Sequence, residues 1–413
     1  MKAKTTEQDK VYRVGFIGTG GRSVCYAREY VPLENVEIIA LADPVAANRS
    51  SMAQKAGLSG GVAEYDDWRD MLRQHTDLDG VVIASPNFAH GDQAVACLER
   101  GIPIALEKPV AHTKADCERI LDAERANAGR TLIGFVLRSA PFYRKAYELV
   151  RAGKVGSIVS IEAHELVRWL VSSLMMRSWW RRMRHLSGGS MLEKCCHDLD
   201  ILNWLLASRP VSLNCYGGRL VFSPNPALPE FCTDCGEADH CPYFSVPERS
   251  ADEDAGEQTL HDFLRDEGRC IYNIPKDTAD VQTVNIEYEN GAVASLLMNF
   301  NAGGSRGSRN ISIIGTKGCV WGDIDALCLN CYENRTDSEK TFTAETDGSG
   351  HGGGDRRHAL ELVRMMTEQS YRPDQDASAG YLSAVMAIAC DISRLERRRV
   401  NFRYGVDGRV DIA

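Results

Sequence analysis

Two residue groups in this sequence have the types and spacing that catalysis needs. Lys108 stands in the triplet Glu107-Lys108-Pro109, directly after the apolar run Ile102-Pro103-Ile104-Ala105-Leu106, and Glu193 and His197 lie four positions apart further along. A lysine delivered by a buried strand is a fixed positive charge that can steady an oxygen becoming negative in a transition state. A histidine one helical turn from a carboxylate shares a face with it and gains basicity, which suits a general base near neutral pH. The same pair also serves in many helices as a structural hydrogen bond. Asp200 follows His197 by three, close to the same stripe, where it can hold a neighbouring substrate hydroxyl.

The elements that would position these groups begin with Val11-Tyr12-Arg13-Val14-Gly15-Phe16-Ile17, a short buried strand by its apolar content, running into Gly18-Thr19-Gly20-Gly21-Arg22-Ser23. That is a dinucleotide fingerprint with one departure. Gly18 permits the tight turn, Gly20 lets the backbone approach a pyrophosphate, and Ser23 occupies the place of a third small residue. A second strand, residues 36–42, ends at Asp43, 25 positions after Gly18. A carboxylate there binds the adenosine ribose hydroxyls and repels a 2′-phosphate, which favours NAD over NADP, although Asp43-Pro44 also reads as a simple turn. Two more strand-turn units follow, one leading into Ser85-Pro86-Asn87-Phe88-Ala89-His90 and one into Lys108. Alternating strands and helices predict a doubly wound parallel sheet over residues 1–136.

With these motifs assembled, the chain resembles the Gfo/Idh/MocA family of NAD(P)-dependent oxidoreductases. The resemblance rests on the glycine loop, Ser85-Pro86-Asn87 with His90, Glu107-Lys108-Pro109, Gly134-Phe135 with Arg138, Gly153-Lys154-Val155-Gly156, Gly188-Gly189, and the segment 193–200. It implies that Gly18, Thr19, Gly20, Gly21, Arg22, Ser23 and Asp43 bind the cofactor. It likewise implies that Ser85, Pro86, Asn87 and His90 border the nicotinamide, that Glu107 and Lys108 flank its ribose, and that Arg138 belongs with the substrate. Lys108, Glu193 and His197 become the catalytic set. Glu193 stands where the family pattern has aspartate and Cys195 where it has glycine, which bears on the substrate more than on the chemistry.

Residues 137–413 are expected to form an α+β domain on a large, mostly antiparallel open sheet, with strands near 158–166, 211–221, 281–289, 292–300 and 311–314. Asn290-Gly291 is a two-residue hairpin signal between two of them. Family likeness implies a homo-dimer or homo-tetramer built through the open face. Trp169 and the run Arg177-Ser178-Trp179-Trp180-Arg181-Arg182 read either as substrate-pocket walls, with Trp169 as a substrate contact, or as a helix with a solvated basic face. His351-Gly352-Gly353-Gly354-Asp355 reads as a lip over the site or a helix entry capped by Asp355. Cys232 and Cys235, two residues apart, with Cys241 and Cys270, sit in an insertion around 223–275 and suggest a structural zinc, His240 being an alternative ligand and plain reduced thiols the other reading. Cys328 and Cys331 repeat the spacing inside an expected strand, where alternation parts their side chains.

Composition narrows the partners. Across 413 residues, 44% hydrophobic and 25% charged, the net charge is −9, which argues against nucleic acid as a partner. No apolar run is long enough to span a membrane, and the polar start without an apolar signal segment predicts a cytoplasmic location in which the fourteen cysteines stay reduced. The sequence therefore predicts NAD-dependent hydride transfer from a ring hydroxyl of a sugar, cyclitol or glycoside. Two alternatives stay open: redox-neutral, NAD-dependent glycoside cleavage through a keto-sugar, and a catalytically inactive NAD-binding regulator.

Overall fold

The computed structural model describes residues 10–58, 60–127, 130–245, 268–303 and 308–413. Contacts divide the chain into two compact units, Met1–Val136 with Gly354–Tyr381, and Leu137–Gly353 with Leu382–Ala413. The polar start through Asp9 and the middle of the cysteine-bearing insertion lie outside the described residues.

The first unit holds six strands, β1 (Tyr12–Ile17), β2 (Val36–Ala42), β3 (Ala63–Tyr65), β4 (Gly80–Ile83), β5 (Ile104–Leu106) and β6 (Thr131–Ile133), in the order β3-β2-β1-β4-β5-β6. All neighbours pair in parallel, which requires a crossover after every strand and places the strands' carboxyl ends along one edge. The central strands β4 and β5 are apolar and fully buried, as expected where helices cover both faces of such a sheet. Residues 354–381 join this unit because Leu362 and Met365, both fully buried, pack with Val14, Phe16 and Tyr30. The Tyr30 hydroxyl also donates to the carbonyl of Ala359 at 3.0 Å. No local signal in the sequence announces that return.

The second unit is built on a ten-stranded sheet. Its strands are β7 (Ile158–Arg168), β8 (Pro210–Gly218), β9 (Val281–Tyr288), β10 (Val293–Ala302), β11 (Arg309–Gly315), β12 (Gly318–Asp323), β13 (Cys328–Glu333), β14 (Ser338–Thr343), β15 (Val400–Tyr404) and β16 (Val410–Ile412). They run in the order β14-β13-β12-β11-β7-β10-β9-β8-β15-β16, antiparallel except for β7 beside β10. In β9 every second residue is buried, from Gln282 to Tyr288, so one face meets the core and the other is open. Asn290-Gly291 turns the chain between β9 and β10, with Gly291 at φ +84°. The helix Ser190–Leu206 packs against β7 and β10.

Candidate functional site

In the first unit the glycine loop connects β1 to the helix Gly21–Tyr30. Gly18 has φ +81°, and a Cβ there would stand 2.6 Å from the backbone nitrogen of Ser85, so only glycine lets the loop close against β4. Ser23 is fully buried and its hydroxyl donates to the carbonyl of Gly18 at 2.6 Å. The departure from the fingerprint thus becomes a bond that holds the turn. Space above Gly20 and Gly21 is open, and the first turn of the helix carries no acidic residue. Unobstructed N–H groups at the positive end of a helix suit a pyrophosphate. Asp43 lies at the end of β2, where Oδ2 accepts from the Thr19 N–H and Oδ1 from the Val45 N–H, both at 2.9 Å. It therefore joins the tip of β2 to the loop as well as carrying the charge expected beside a ribose.

His90 is fully buried. Its Nδ1 lies 2.8 Å from the carbonyl of Pro109 and its Nε2 2.9 Å from that of Ser85, so it ties the two strand-end loops together. Ser85 donates to Gln93 through its hydroxyl, Pro86 opens a short 3-10 turn, and Asn87 is buried within it. Glu107 is the centre of an ion network: Arg22 Nε donates to its Oε1 at 2.9 Å, and the other end of that guanidinium donates to Asp355 at 3.0 Å. Oε2 accepts from the Lys108 backbone N–H at 3.2 Å. Burial works to raise the Glu107 pKa, but Arg22 and Lys108 hold it below the usual carboxylate value. Gly134 of β6's exit leaves room for this carboxylate, because a Cβ there would meet Oε2 and the Lys108 nitrogen at 3.0 Å.

His358, fully buried beside this network, was not foreseen. Its ring meets Tyr26 edge-on at 6.0 Å, and neither nitrogen makes a hydrogen bond of proper geometry, although Gln375 lies near. Burial, above all, pushes its pKa down to about 4, with Arg22 adding to the shift and Glu107 and Asp355 opposing it. An unfolded histidine takes its proton near pH 6.5, so between that value and about pH 4 the folded chain binds fewer protons and loses stability as pH falls. The loss reaches about 3 kcal/mol. Asp198, in the other unit, runs the opposite way: burial, helped by Glu165 and opposed by Arg309, raises it to about 6, and its contribution is lost as pH rises towards that value. A comparison of His358→Leu with the parent protein isolates the histidine. Their difference in unfolding free energy should change by about 3 kcal/mol between pH 7 and pH 4, the parent losing more, and a pH-independent difference would rule the effect out.

In the second unit, Glu193 and His197 lie one turn apart on the helix Ser190–Leu206, each 4% exposed. Glu193 accepts from Arg181 Nε at 3.0 Å, and that guanidinium also covers the Trp180 ring at 4.2 Å. The Arg177–Arg182 run is therefore not a solvated basic face: Arg177 and Trp180 are buried and Arg181 holds the carboxylate beside His197. His351, of the glycine-rich segment, lies with its ring 6.0 Å from that of His197. Within this segment His351, Gly352 and Gly353 adopt left-handed backbone angles that break the helix around them. Asp355 accepts from Arg22 at 3.0 Å.

Asp200 and Arg138, both expected at the substrate, meet each other in a buried ion pair. The guanidinium grips both carboxylate oxygens, Nε to Oδ2 at 2.6 Å and the second nitrogen to Oδ1 at 2.5 Å, and the side chains are 7% and 1% exposed. A bidentate guanidinium uses one lone pair on each carboxylate oxygen, so Asp200 carries a buried ion pair and keeps acceptor sites beside it. Trp169 opens the helix Trp169–Arg177 and is 47% exposed. Cys195, in the family's glycine position, is fully buried, and burial raises its thiol well above the ordinary value.

Among the described residues no group of three or more His, Cys, Asp or Glu side chains stands in metal-holding geometry, so the zinc expectation finds no ready coordination sphere. No described helix is long and apolar enough to cross a membrane.

Comparison with known proteins bears on both units. Residues 12–135 match the model of the oxidoreductase family NAD-binding Rossmann fold, and residues 143–321 match the Gfo/Idh/MocA C-terminal domain. The putative oxidoreductase YteT of Bacillus subtilis is 28% identical over 320 residues, covering 70% of this chain and 73% of its own length. Inositol 2-dehydrogenase of Salmonella typhimurium is 26% identical over 196 residues, so the chain spans about half that relative's length (54%) and 47% of the present one is matched. Among solved structures, levoglucosan dehydrogenase in complex with NADH has a TM-score of 0.74 at 20% identity, over 95% of this chain and 99% of the other, a likeness of fold.

Proposed function

The chain belongs to the Gfo/Idh/MocA oxidoreductase family, and from that premise we propose that it oxidises a ring hydroxyl of a sugar, cyclitol or glycoside with NAD. The observation that carries this reading is a buried histidine, His197, one helical turn from a buried glutamate that an arginine holds in place. A relative that bears the name inositol 2-dehydrogenase and a fold neighbour named levoglucosan dehydrogenase support the substrate class. The glycine loop, the helix Gly21–Tyr30 and Asp43 would hold NAD, which supplies the hydride acceptor when bound.

The protein's own work is then proton transfer and charge stabilisation. His197 takes the proton of the substrate hydroxyl, and the negative charge of Glu193 nearby favours the imidazolium that results. Lys108 stabilises the alkoxide, a charge that grows only as the reaction proceeds. Glu107, fixed by Arg22, holds the backbone of Lys108 in place.

The test is to incubate the protein with NAD and a panel of polyols, aldoses, cyclitols and glycosides while following NADH absorbance and the mass of the products. Net NADH with a product two mass units lighter is the expected result. Aglycone release without NADH would replace this reading with redox-neutral cleavage, and NAD binding without turnover on the whole panel would replace it with a regulator.

A further inference from the structure

Oxidation of an alcohol sets free one proton per turnover, and the base that takes it must lose it before it can act again. His197 is 4% exposed, so that proton arrives on a ring with little access to water. His351 is exposed, and its ring centre lies 6.0 Å from that of His197, the two planes inclined at 46°. Resting on the reading of His197 as the proton acceptor, we propose that His351 relays the proton from His197 to solvent.

Distance and chemistry agree with that role. Both rings belong to the second unit. The separation of 6.0 Å between ring centres is longer than a direct bond between ring nitrogens requires, and two hydrogen bonds of about 2.9 Å each through one water span it. Histidine is the side chain whose ordinary pKa lets it gain and lose a proton near neutral pH, and an imidazole accepts on one ring nitrogen while it donates from the other. The step balances. As hydride leaves the substrate carbon, the electron pair of the O–H bond becomes the second bond of the carbonyl and the proton passes to His197. His197 then gives a proton to the bridging water, which gives one to His351, and His351 releases it to solvent. The relay moves no electrons, and one H⁺ appears for each hydroxyl oxidised.

The backbone around His351 is shaped to hold the ring in place. His351 stands at φ +53° and ψ +44°, a left-handed conformation that is strained for a residue with a Cβ and persists where the surroundings impose it. Gly352 and Gly353 follow at φ +66° and +89°. A Cβ on Gly352 would approach Ile324 to 3.1 Å, so glycine there lets the segment lie against the turn between β12 and β13. The Gly353 N–H donates to the carbonyl of Ser349 at 3.1 Å, and the Ser349 N–H to Asp347 Oδ1 at 2.9 Å, which fastens the chain on both sides of the histidine. Backbone strain of this kind gathers at sites where one side chain has to be presented in one direction.

The experiment uses the full chain with His351→Asn, which tolerates a left-handed backbone and still forms hydrogen bonds but takes up no proton at neutral pH. His351→Gly, free of backbone strain, guards against a misfolded variant. NMR of ring-labelled protein, with the His197 signal assigned by its loss in His197→Ala, gives the rate at which that ring exchanges its proton with water. Stopped-flow in weak buffer follows proton release with an indicator dye beside NADH absorbance. In the parent, proton release should keep pace with NADH. In both variants ring exchange and proton release should slow by roughly tenfold or more, short of the 10² to 10⁴ that loss of the base itself costs, with KM unchanged. Added imidazole should restore both rates, because a small base does the work of the missing side chain, whereas a merely structural role would not respond to it. Parental rates in both variants overturn the relay, and so does slowing that neither imidazole nor phosphate restores. A raised KM with parental exchange also overturns it and gives His351 to the substrate. The exchange measurement needs no substrate, so it decides the relay by itself, while a parent protein without turnover on the panel counts against the proposed function alone.

Discussion

Lys108→Met and His197→Ala should both bind NAD with nearly the parent affinity and yet turn over poorly, with kcat lower by roughly 10² to 10⁴ for the lost base and by about 10² to 10³ for the lost cation. The separation of binding from turnover follows from where each residue is anchored. The strand-end loop that carries Lys108 is held through Glu107, which Arg22 and the Lys108 backbone N–H grip, and through the His90 bonds to the carbonyls of Ser85 and Pro109. None of these hydrogen bonds uses the Lys108 side chain, whose charge only adds to that of Arg22 on Glu107, so methionine, which fills similar space without charge, leaves those bonds to hold the loop. On the helix Ser190–Leu206 the carboxylate of Glu193 keeps its partner Arg181 when His197 is truncated. Calorimetry with NAD and steady-state rates on the best substrate of the panel check the two halves of the expectation. His197→Ala should also flatten the acidic limb of the pH–rate profile, since the group whose protonation stops the reaction is gone. A variant of either residue that keeps more than about a tenth of parental kcat removes the role assigned to that residue, while a loss of NAD binding in Lys108→Met would mean that the side chain serves the cofactor instead.

Much of the fold was legible because local pattern and tertiary role coincide. Apolar runs ending in Gly18, Asp43 and Ser85-Pro86 marked the parallel strands β1, β2 and β4, and period-two alternation marked β9 and β10, with Asn290-Gly291 between them. Glu193 and His197 could be read for the same reason, since helical spacing alone puts them on one face. The arrangements that escaped are pairings across long stretches of chain. Arg22 meets Asp355 over 333 positions and Arg138 meets Asp200 over 62, distances at which no periodicity speaks. The arginines of 177–182 misled because a dense basic run ordinarily faces water, whereas here Arg177 is buried against the Cys232 sulfur and Arg181 goes to Glu193. The return of residues 354–381 to the first unit escaped for a related reason, because the apolar face of that helix fits a core in either unit equally well as a pattern. The spacing that aligned Asp200 with His197 likewise says nothing about the arginine that grips it.

That arginine makes Asp200 the point where structural and substrate roles can be told apart. The Arg138–Asp200 pair is buried, bidentate and flanked by the Trp204 ring, 5.6 Å from the guanidinium, so each charge is out of water and depends on the other. Removing one member of such a pair strands the other's charge in a poorly solvated site, at a cost of about 3 to 5 kcal/mol. For a unit of this size that corresponds to a fall in melting temperature on the order of 10 °C. Arg138→Met and Asp200→Asn should therefore both destabilise, and Arg138→Met/Asp200→Leu should recover much of the loss, because two apolar side chains of similar volume leave no stranded charge. The interaction energy from that cycle is the quantity to measure, by thermal or urea unfolding of the four proteins side by side. If Asp200 instead held a substrate hydroxyl, Asp200→Asn would raise KM with the melting temperature within about 2 °C of the parent, and the double variant would rescue nothing. The two outcomes move different observables, and the bidentate geometry favours the first.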